Sequence, residues 1–390
     1  MIKKIALILT IAASMAFMSC SEDKSSEPSV NDSQAFQNEM TGVGEDVMAS
    51  KGVVAYSSNS QAMAYLPFSM PVKSISGAFG NITSAEGLSK AQFLKTIFPQ
   101  TEATAKQVEH FVISEHYGSY TFNGYIYDEY NNIIDANWII VEGGSIVAVI
   151  IPAAYTSDGK KFELILNDYN DEFIYWYDAD QDYNSDYYPT LIDMEIIINS
   201  TEKVFDLEFT ADWEYMAAME SVMPKLLDFM FDFTPYSLQI TYSNTIANIL
   251  NYTMVMKENL VTLMSIYAEI TFVDDTLAEV SEIDFTYDFG NYSIACWSDV
   301  DGMEEIMDSD AYTNAQKIYF LNSGDYIWAK IYKNDSLLAQ LKAREVWDEE
   351  EWNEATQSYG EYQIEAYFEF VDGSVMIVDM DDFEDLTGGF

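Results

Sequence analysis

The chain has 390 residues, 18 of them basic and 65 acidic, for a net charge of −47 at neutral pH. Phosphate binding needs clustered Lys and Arg, and a chain whose lone arginine is Arg344 does not supply them, which excludes nucleic acid as a ligand. Apolar residues make up 49% and aromatics are abundant, with 28 Tyr and 23 Phe, so the chain is no disordered polyanion and can bury a sizeable core.

Residues 1–19 have the three parts of a secretory signal. Lys3 and Lys4 come first, residues 5–18 form an uncharged, mostly apolar run, and Ser19 is a small residue at its end. The run is too short to be a comfortable membrane span. It closes on Phe17-Met18-Ser19-Cys20, with a cysteine at the cleavage boundary and a small residue before it. This segment resembles the lipobox of bacterial lipoproteins. The resemblance implies that Cys20 becomes the first mature residue and carries lipid, palmitate included, on its thiol and amine. A thiolate suits thioether formation, and each buried CH₂ of an acyl chain anchors by about 0.8 kcal/mol. Ser21, rather than Asp, implies the outer membrane. Ser21-Glu22-Asp23-Lys24 resembles the acidic signal that sends some lipoproteins to the cell exterior.

Residues 20–50 read as a lipidated tether and linker. The part up to about residue 33 is Ser, Glu, Asp and Pro with almost no apolar residue, and a short helix is expected within 34–51. Residues 51–210 read as a β-rich region with one helix. Loops and short strands are expected around 67–87. Residues 107–116 read as a helix with Val108, Phe111 and Val112 on one face, ended by Gly118. From residue 119 the apolar period becomes two. A hairpin is expected across Gly143-Gly144, a second across Asn167–Asp171, and a third across residues 200–203. Phe205, Leu207 and Phe209 alternate there with Asp206 and Glu208, as in a half-buried strand.

Residues 211–390 read as a helix followed by more antiparallel strands, with one continuous domain over 51–390 left open. Met216, Met219, Met223, Leu226 and Met230 are spaced 3, 4, 3, 4 and predict a helical stripe over 211–231, kinked at Pro224. Such a stripe packs on a sheet by default, and lines an apolar ligand groove in the sharper reading. Strands resume after it. A short acidic helix is expected at 303–307. Three strands are expected in 317–346, with turns at Ser323-Gly324 and Asn334-Asp335, and a last hairpin turns at Asp372-Gly373. The predicted fold is mainly β (α+β): antiparallel meanders, as two sandwiched sheets or one long curved sheet, with a few packed helices.

Candidate sites are few. Asp178, Asp180, Asp182 and Asp186 are spaced like the opening of a calcium loop, where alternate oxygens converge on a hard cation. Tyr183 stands where such a loop needs Gly, and Pro189 where it needs Glu, so a solvated acidic loop is the simpler reading. Tyr175, Trp176, Tyr177, Tyr183, Tyr187 and Tyr188 crowd around it, and aromatic faces beside carboxylates are how proteins commonly hold sugars. Plain strand composition explains the same residues. His110 and His116, six apart, point about 120° from each other on a helix and do not share a metal. Cys296 in an apolar run reads as a small buried hydrophobe. No nucleophile elbow, zinc-protease, phosphate-loop or dinucleotide motif occurs. The expected function is a lipid-anchored surface protein that binds or builds, with membrane contact through Cys20 and a glycan or surface protein as partner. A hydrolase using two carboxylates and a periplasm-facing apolar-ligand carrier are the rivals.

Overall fold

The structure is a computed structural model that describes residues 31–40, 51–68, 110–177, 183–216, 221–246, 248–273, 280–307, 309, 311–353 and 358–378. Among the described residues two helices come first, α1 (Asp32–Met40) and α2 (Lys51–Met63). The strands follow as β1 (Gly118–Tyr127), β2 (Ile133–Glu142), β3 (Val147–Ile151), β4 (Phe162–Tyr177), β5 (Tyr183–Ile198), β6 (Glu202–Met216), β7 (Ser221–Phe233) and β8 (Tyr236–Ile246). They continue as β9 (Ile249–Glu258), β10 (Val261–Phe272), β11 (Val280–Phe289) and β12 (Tyr292–Asp299). Helices α3 (Val300–Met307) and α4 (Asn314–Ser323) then precede β13 (Ile327–Lys333), β14 (Ser336–Asn353), β15 (Ser358–Phe370) and β16 (Val375–Ile377).

All sixteen strands belong to one sheet, and from β16 back to β3 sequence neighbours are spatial neighbours. Turn chemistry sets this meander. Asn199-Ser200, Asn259-Leu260 and Asn334-Asp335 all hold positive φ at both positions, the conformation whose twist matches paired strands. The exception is the start, where β1 lies between β2 and β3, antiparallel to the first and parallel to the second. The strands joined by Gly143-Gly144 therefore flank β1 and form no hairpin, contrary to expectation. Their loop crosses the entry of β1, with Gly143 N–H donating to Tyr117 O (2.9 Å) and Gly118 N–H to Ile146 O (3.0 Å). A Cβ on Gly118 would lie 2.5 Å from Val141 O, so glycine lets β2 close on β1.

Alternation then sorts the side chains. Ile283, Phe285, Tyr287 and Phe289 of β11 are buried, and Glu282, Asp284 and Asp288 between them are exposed. The same holds for Met264, Ile266, Ala268 and Ile270 of β10 and for Met194, Ile196 and Ile198 of β5. These buried faces join into one apolar cluster that runs from Tyr120 to Met376. One continuous sheet carries this cluster, so of the two architectures expected the strands form the single long sheet and not two sandwiched ones. Phe36 of α1 closes part of it, meeting the rings of Phe289, Tyr292 and Phe370 at 5.5, 5.4 and 6.4 Å.

Four further expectations fail, each for a physical reason. The helix over 211–231 is the end of β6 and the whole of β7, with 217–220 outside the described residues. The stronger signal was period two, because Phe229, Phe231 and Phe233 alternate with Asp228, Met230 and Asp232. Pro224 sits at a register shift opposite Trp213, where a strand tolerates it and a helix interior does not. The turn at Asn167–Asp171 is absent, since β4 runs through it with two register shifts that absorb the polar residues. In 107–116 only Ile113–Glu115 form a helical turn, and 107–109 lie outside the described residues. The first of the three strands placed in 317–346 is α4, capped by reciprocal Thr313 and Gln316 bonds and ended by Gly324 at φ +79. The short helix expected at 303–307 is present as the end of α3.

Candidate functional site: aromatic hairpin tips on an acidic sheet

The outward face of the sheet is polar and acidic. Across neighbouring strands Asp193 faces Glu208, Glu195 faces Asp206, Asp206 faces Asp232, and Glu269 faces Asp284. Like charges opposite each other repel. Lys203 relieves one such group by bonding Asp206 and reaching Glu195 at 3.5 Å. Asp232 and Asp284 are left with raised pKa values. Burial contributes most in both, followed by Asp206 beside Asp232 and by Glu269 and Glu282 beside Asp284. A membrane-spanning barrel carries an apolar band on its outside and polar groups within. This sheet has the reverse polarity.

The most distinctive surface lies where β4, β5 and β6 run past their shared ladder. The β5–β6 pairing reaches Leu191 and Thr210, whereas β4–β5 continues to Tyr177 and Tyr183 and β6–β7 to Met216 and Ser221. Aromatic side chains bridge the two hairpins in place of the ladder. Trp213 Nε1–H donates to Pro189 O at 2.7 Å, and Tyr215 O–H to Tyr177 O at 3.2 Å. Trp176 stacks on Tyr215 at 5.7 Å, and Tyr188 meets Trp213 at 5.3 Å. Burial, with help from the Asp186 carboxylate, pushes the Tyr188 hydroxyl up to about 12.

Tyr187, next in the strand to Tyr188, points to the opposite face. It meets Phe173 at 5.0 Å and stacks on His110 at 4.5 Å. Phe173, Tyr175 and Tyr177 alternate along β4 and so share one face, with exposures of 47%, 64% and 56%. Strand geometry spaces such rings by about 6.7 Å. The result is a linear strip of three exposed aromatic rings at the tip of a hairpin. The base of the strip is fixed by Asp171, whose side chain is only 3% exposed. It accepts from His110 Nδ1 (2.9 Å), Phe111 N–H (3.1 Å) and Tyr169 O–H (3.3 Å). Burial, then the Asp171 charge, raises the Tyr169 pKa strongly.

Of the predicted site residues, Asp186 lies on β5 opposite Ile174, with its carboxylate bonded to Tyr187 N–H at 2.8 Å. Asp178, Asp180 and Asp182 lie outside the described residues, as does Cys20. His110 and His116 share no helix. His116 stacks between Phe68 (4.7 Å) and Phe111 (4.8 Å), a packing role. Cys296 is fully buried in β12, where burial pushes its thiol up to about 12, and it is a core residue as expected. The methionine stripe is broken up, with Met216 and Met230 on different strands and Met230 39% exposed. A groove of about 490 Å³ lies elsewhere, between Tyr65, Leu66 and Pro67 on one side and Asp135, Trp138 and Ile140 on the other. Among the described residues Asp135 is the one carboxylate that lines it.

Sequence reasoning named the tyrosines of this tip but missed Phe173, Trp213, Tyr215 and the His110–Asp171 bond. Alternation along β4 carried the signal for Phe173. Nothing local joins Trp213 to Pro189, which are 24 residues apart.

No protein-family model matches the chain, and no curated protein does. Among solved structures, a porin-like protein from Bacteroides vulgatus aligns with 55% of this chain and 90% of its own, at 11% identity and a TM-score of 0.20.

Proposed function

We propose that this chain is a lipid-tethered protein of the bacterial outer membrane, facing the cell exterior. Its body is a binding module for a neutral, polyhydroxylated ligand such as a glycan. The observation that carries the ligand reading is the strip of Phe173, Tyr175 and Tyr177 on one face of a projecting hairpin. Flat rings at regular spacing stack on sugar faces, and nearby carboxylates accept their hydroxyls. A net charge of −47 repels anionic ligands and leaves neutral ones unaffected. In this reading Asp178, Asp180, Asp182 and Asp186 hold calcium. The tether reading rests on the lipobox-like segment at Cys20.

Binding is tested by affinity electrophoresis of the full chain in gels containing neutral polysaccharides. Retardation is expected, and Tyr175→Ala or Tyr177→Ala lowers the affinity by about threefold to tenfold each. Unretarded migration in every neutral polysaccharide sinks the ligand reading. Anchoring is tested separately by Cys20→Ser: continued palmitate labelling and membrane association rule it out. A body that resists protease on whole cells, and is cut only after lysis, rules out surface display.

A further inference from the structure

The sheet has one edge that is unusually bare. Among the described residues β2 pairs with β1 alone, and β2 ends the strand order. Ile134, Ile139, Ile140 and Val141 are 57%, 53%, 46% and 61% exposed. Edge strands are normally blunted by charges, Pro or bulges, because their free N–H and C=O groups invite pairing. Residues 136–141 of β2 carry no charge and no proline, in a chain with 65 acids. The register shift between Phe122 and Tyr125 inserts its extra residue in β1 and leaves residues 136–142 regular, while the shift between Ile126 and Tyr127 sets Ile134 as an extra residue at the start of β2.

Ladder phase identifies the free groups. Gly143 N–H donates to Tyr117 O, and Tyr117 faces Gly143 in the continued β1–β2 register. Bonded and non-bonded pairs alternate in an antiparallel ladder. Val141 and Ile139 therefore bond to β1, while Glu142, Ile140 and Trp138 turn their N–H and C=O outward. Trp138 and Ile140 also border the groove beside residues 64–67.

We infer that β2 is a self-association edge: two copies of this chain pair β2 to β2, antiparallel, about a two-fold axis at Ile140. In that register each outward group meets one of the partner's, Ile140 with the partner's Ile140 and Trp138 with the partner's Glu142. On the other face Ile139 lies beside the partner's Val141. Residues 138–141 carry no charge and Glu142 faces the partner's Trp138, so no acid faces an acid across the seam. Moving the axis by one residue sets groups already bonded to β1 against each other. The stretch is thus self-complementary in both hydrogen bonding and charge, as an isologous contact requires. The rest of each surface, at −47 per chain, opposes the approach.

That opposition gives the pairing a signature. Sedimentation velocity of the full chain in detergent should show dimer increasing as NaCl rises, since the Debye length falls from about 30 Å at 0.01 M to about 3 Å at 1 M. Ile140→Pro removes one outward N–H without touching the β1–β2 ladder, and should leave a monomer with an unchanged Tm. Ile140→Glu sets two carboxylates at the axis and should weaken association by about a hundredfold. Ile140→Cys should cross-link on oxidation far faster than Ile134→Cys, because a bonded pair has its Cα atoms about 5.5 Å apart, within disulfide reach. A monomer at every salt concentration overturns the inference. So does a dimer that survives both Ile140→Pro and Ile140→Glu, or an association that weakens with salt, which indicates a basic partner.

Discussion

Phe36→Ala tests how the N-terminal segment is held to the sheet. Helix α1 has nine residues, too few to be stable alone in water. Among its described side chains the main attachment is Phe36, which is 1% exposed and touches three aromatic rings on β11, β12 and β15. Outside the helix itself, Asp32 N–H donates to the Asp372 carboxylate at 3.0 Å. Truncating a fully buried Phe costs about 3–5 kcal/mol, more than the remaining exposed contacts supply. The expected result is local release of α1, with the sheet intact. Hydrogen exchange read by mass spectrometry should show amides of residues 33–40 exchanging about two orders of magnitude faster, with β11 and β12 unchanged. Acid should act in the same direction. The backbone N–H of Asp32 and the hydroxyl and N–H of Ser374 hold Asp372 below its ordinary value of 3.8. A lowered carboxylate stabilises above that value and loses its contribution as pH falls below it. Unchanged protection in α1, or loss of protection in β11 and β12 in step with it, refutes the reasoning.

Asp284→Asn should raise the Tm at neutral pH by about a degree or two, because it removes a charge that partial burial, and then Glu269 and Glu282, disfavour. Since the folded pKa is raised, the gain must shrink as pH falls and vanish below 3.8; a gain that grows with acid contradicts the account. Tyr287→Phe should stabilise by about 1 kcal/mol in urea titration, since the buried hydroxyl has no hydrogen-bond partner among the described residues, and a loss would reveal a partner. Gly118→Ala should cost about 2 kcal/mol or more, since its Cβ would press on Val141 O, and an unchanged Tm would mean β2 moves freely away. Millimolar calcium should raise the Tm in a way that Asp186→Asn reduces, and an unshifted Tm removes the acidic loop from consideration.

Much of the meander was legible because strands with one wet face write their burial into the sequence at period two. Phe205 and Leu207 against Asp206 and Glu208 are one case, and Phe368 and Phe370 against Glu369 are another. Asn334-Asp335 and Asp372-Gly373 marked turns because few residues accept positive φ. The methionines of 211–231 misled because a spacing of three and four suits a helix whether or not one forms, and the cross-strand partners decide. Thr313 and Gln316 cap α4 in the structure, but in the sequence the apolar residues after them read as a strand.

The chain by itself thus determined its charge, its β character and many of the strand faces that would be buried. These depend on residue type and local period. Tertiary structure alone decided that β1 lies between β2 and β3, that the described strands join one sheet with a continuous apolar cluster, and that Trp213 and Tyr215 bind the β4–β5 tip. Such contacts join residues tens of positions apart, and nothing in local sequence encodes which strand will lie beside which.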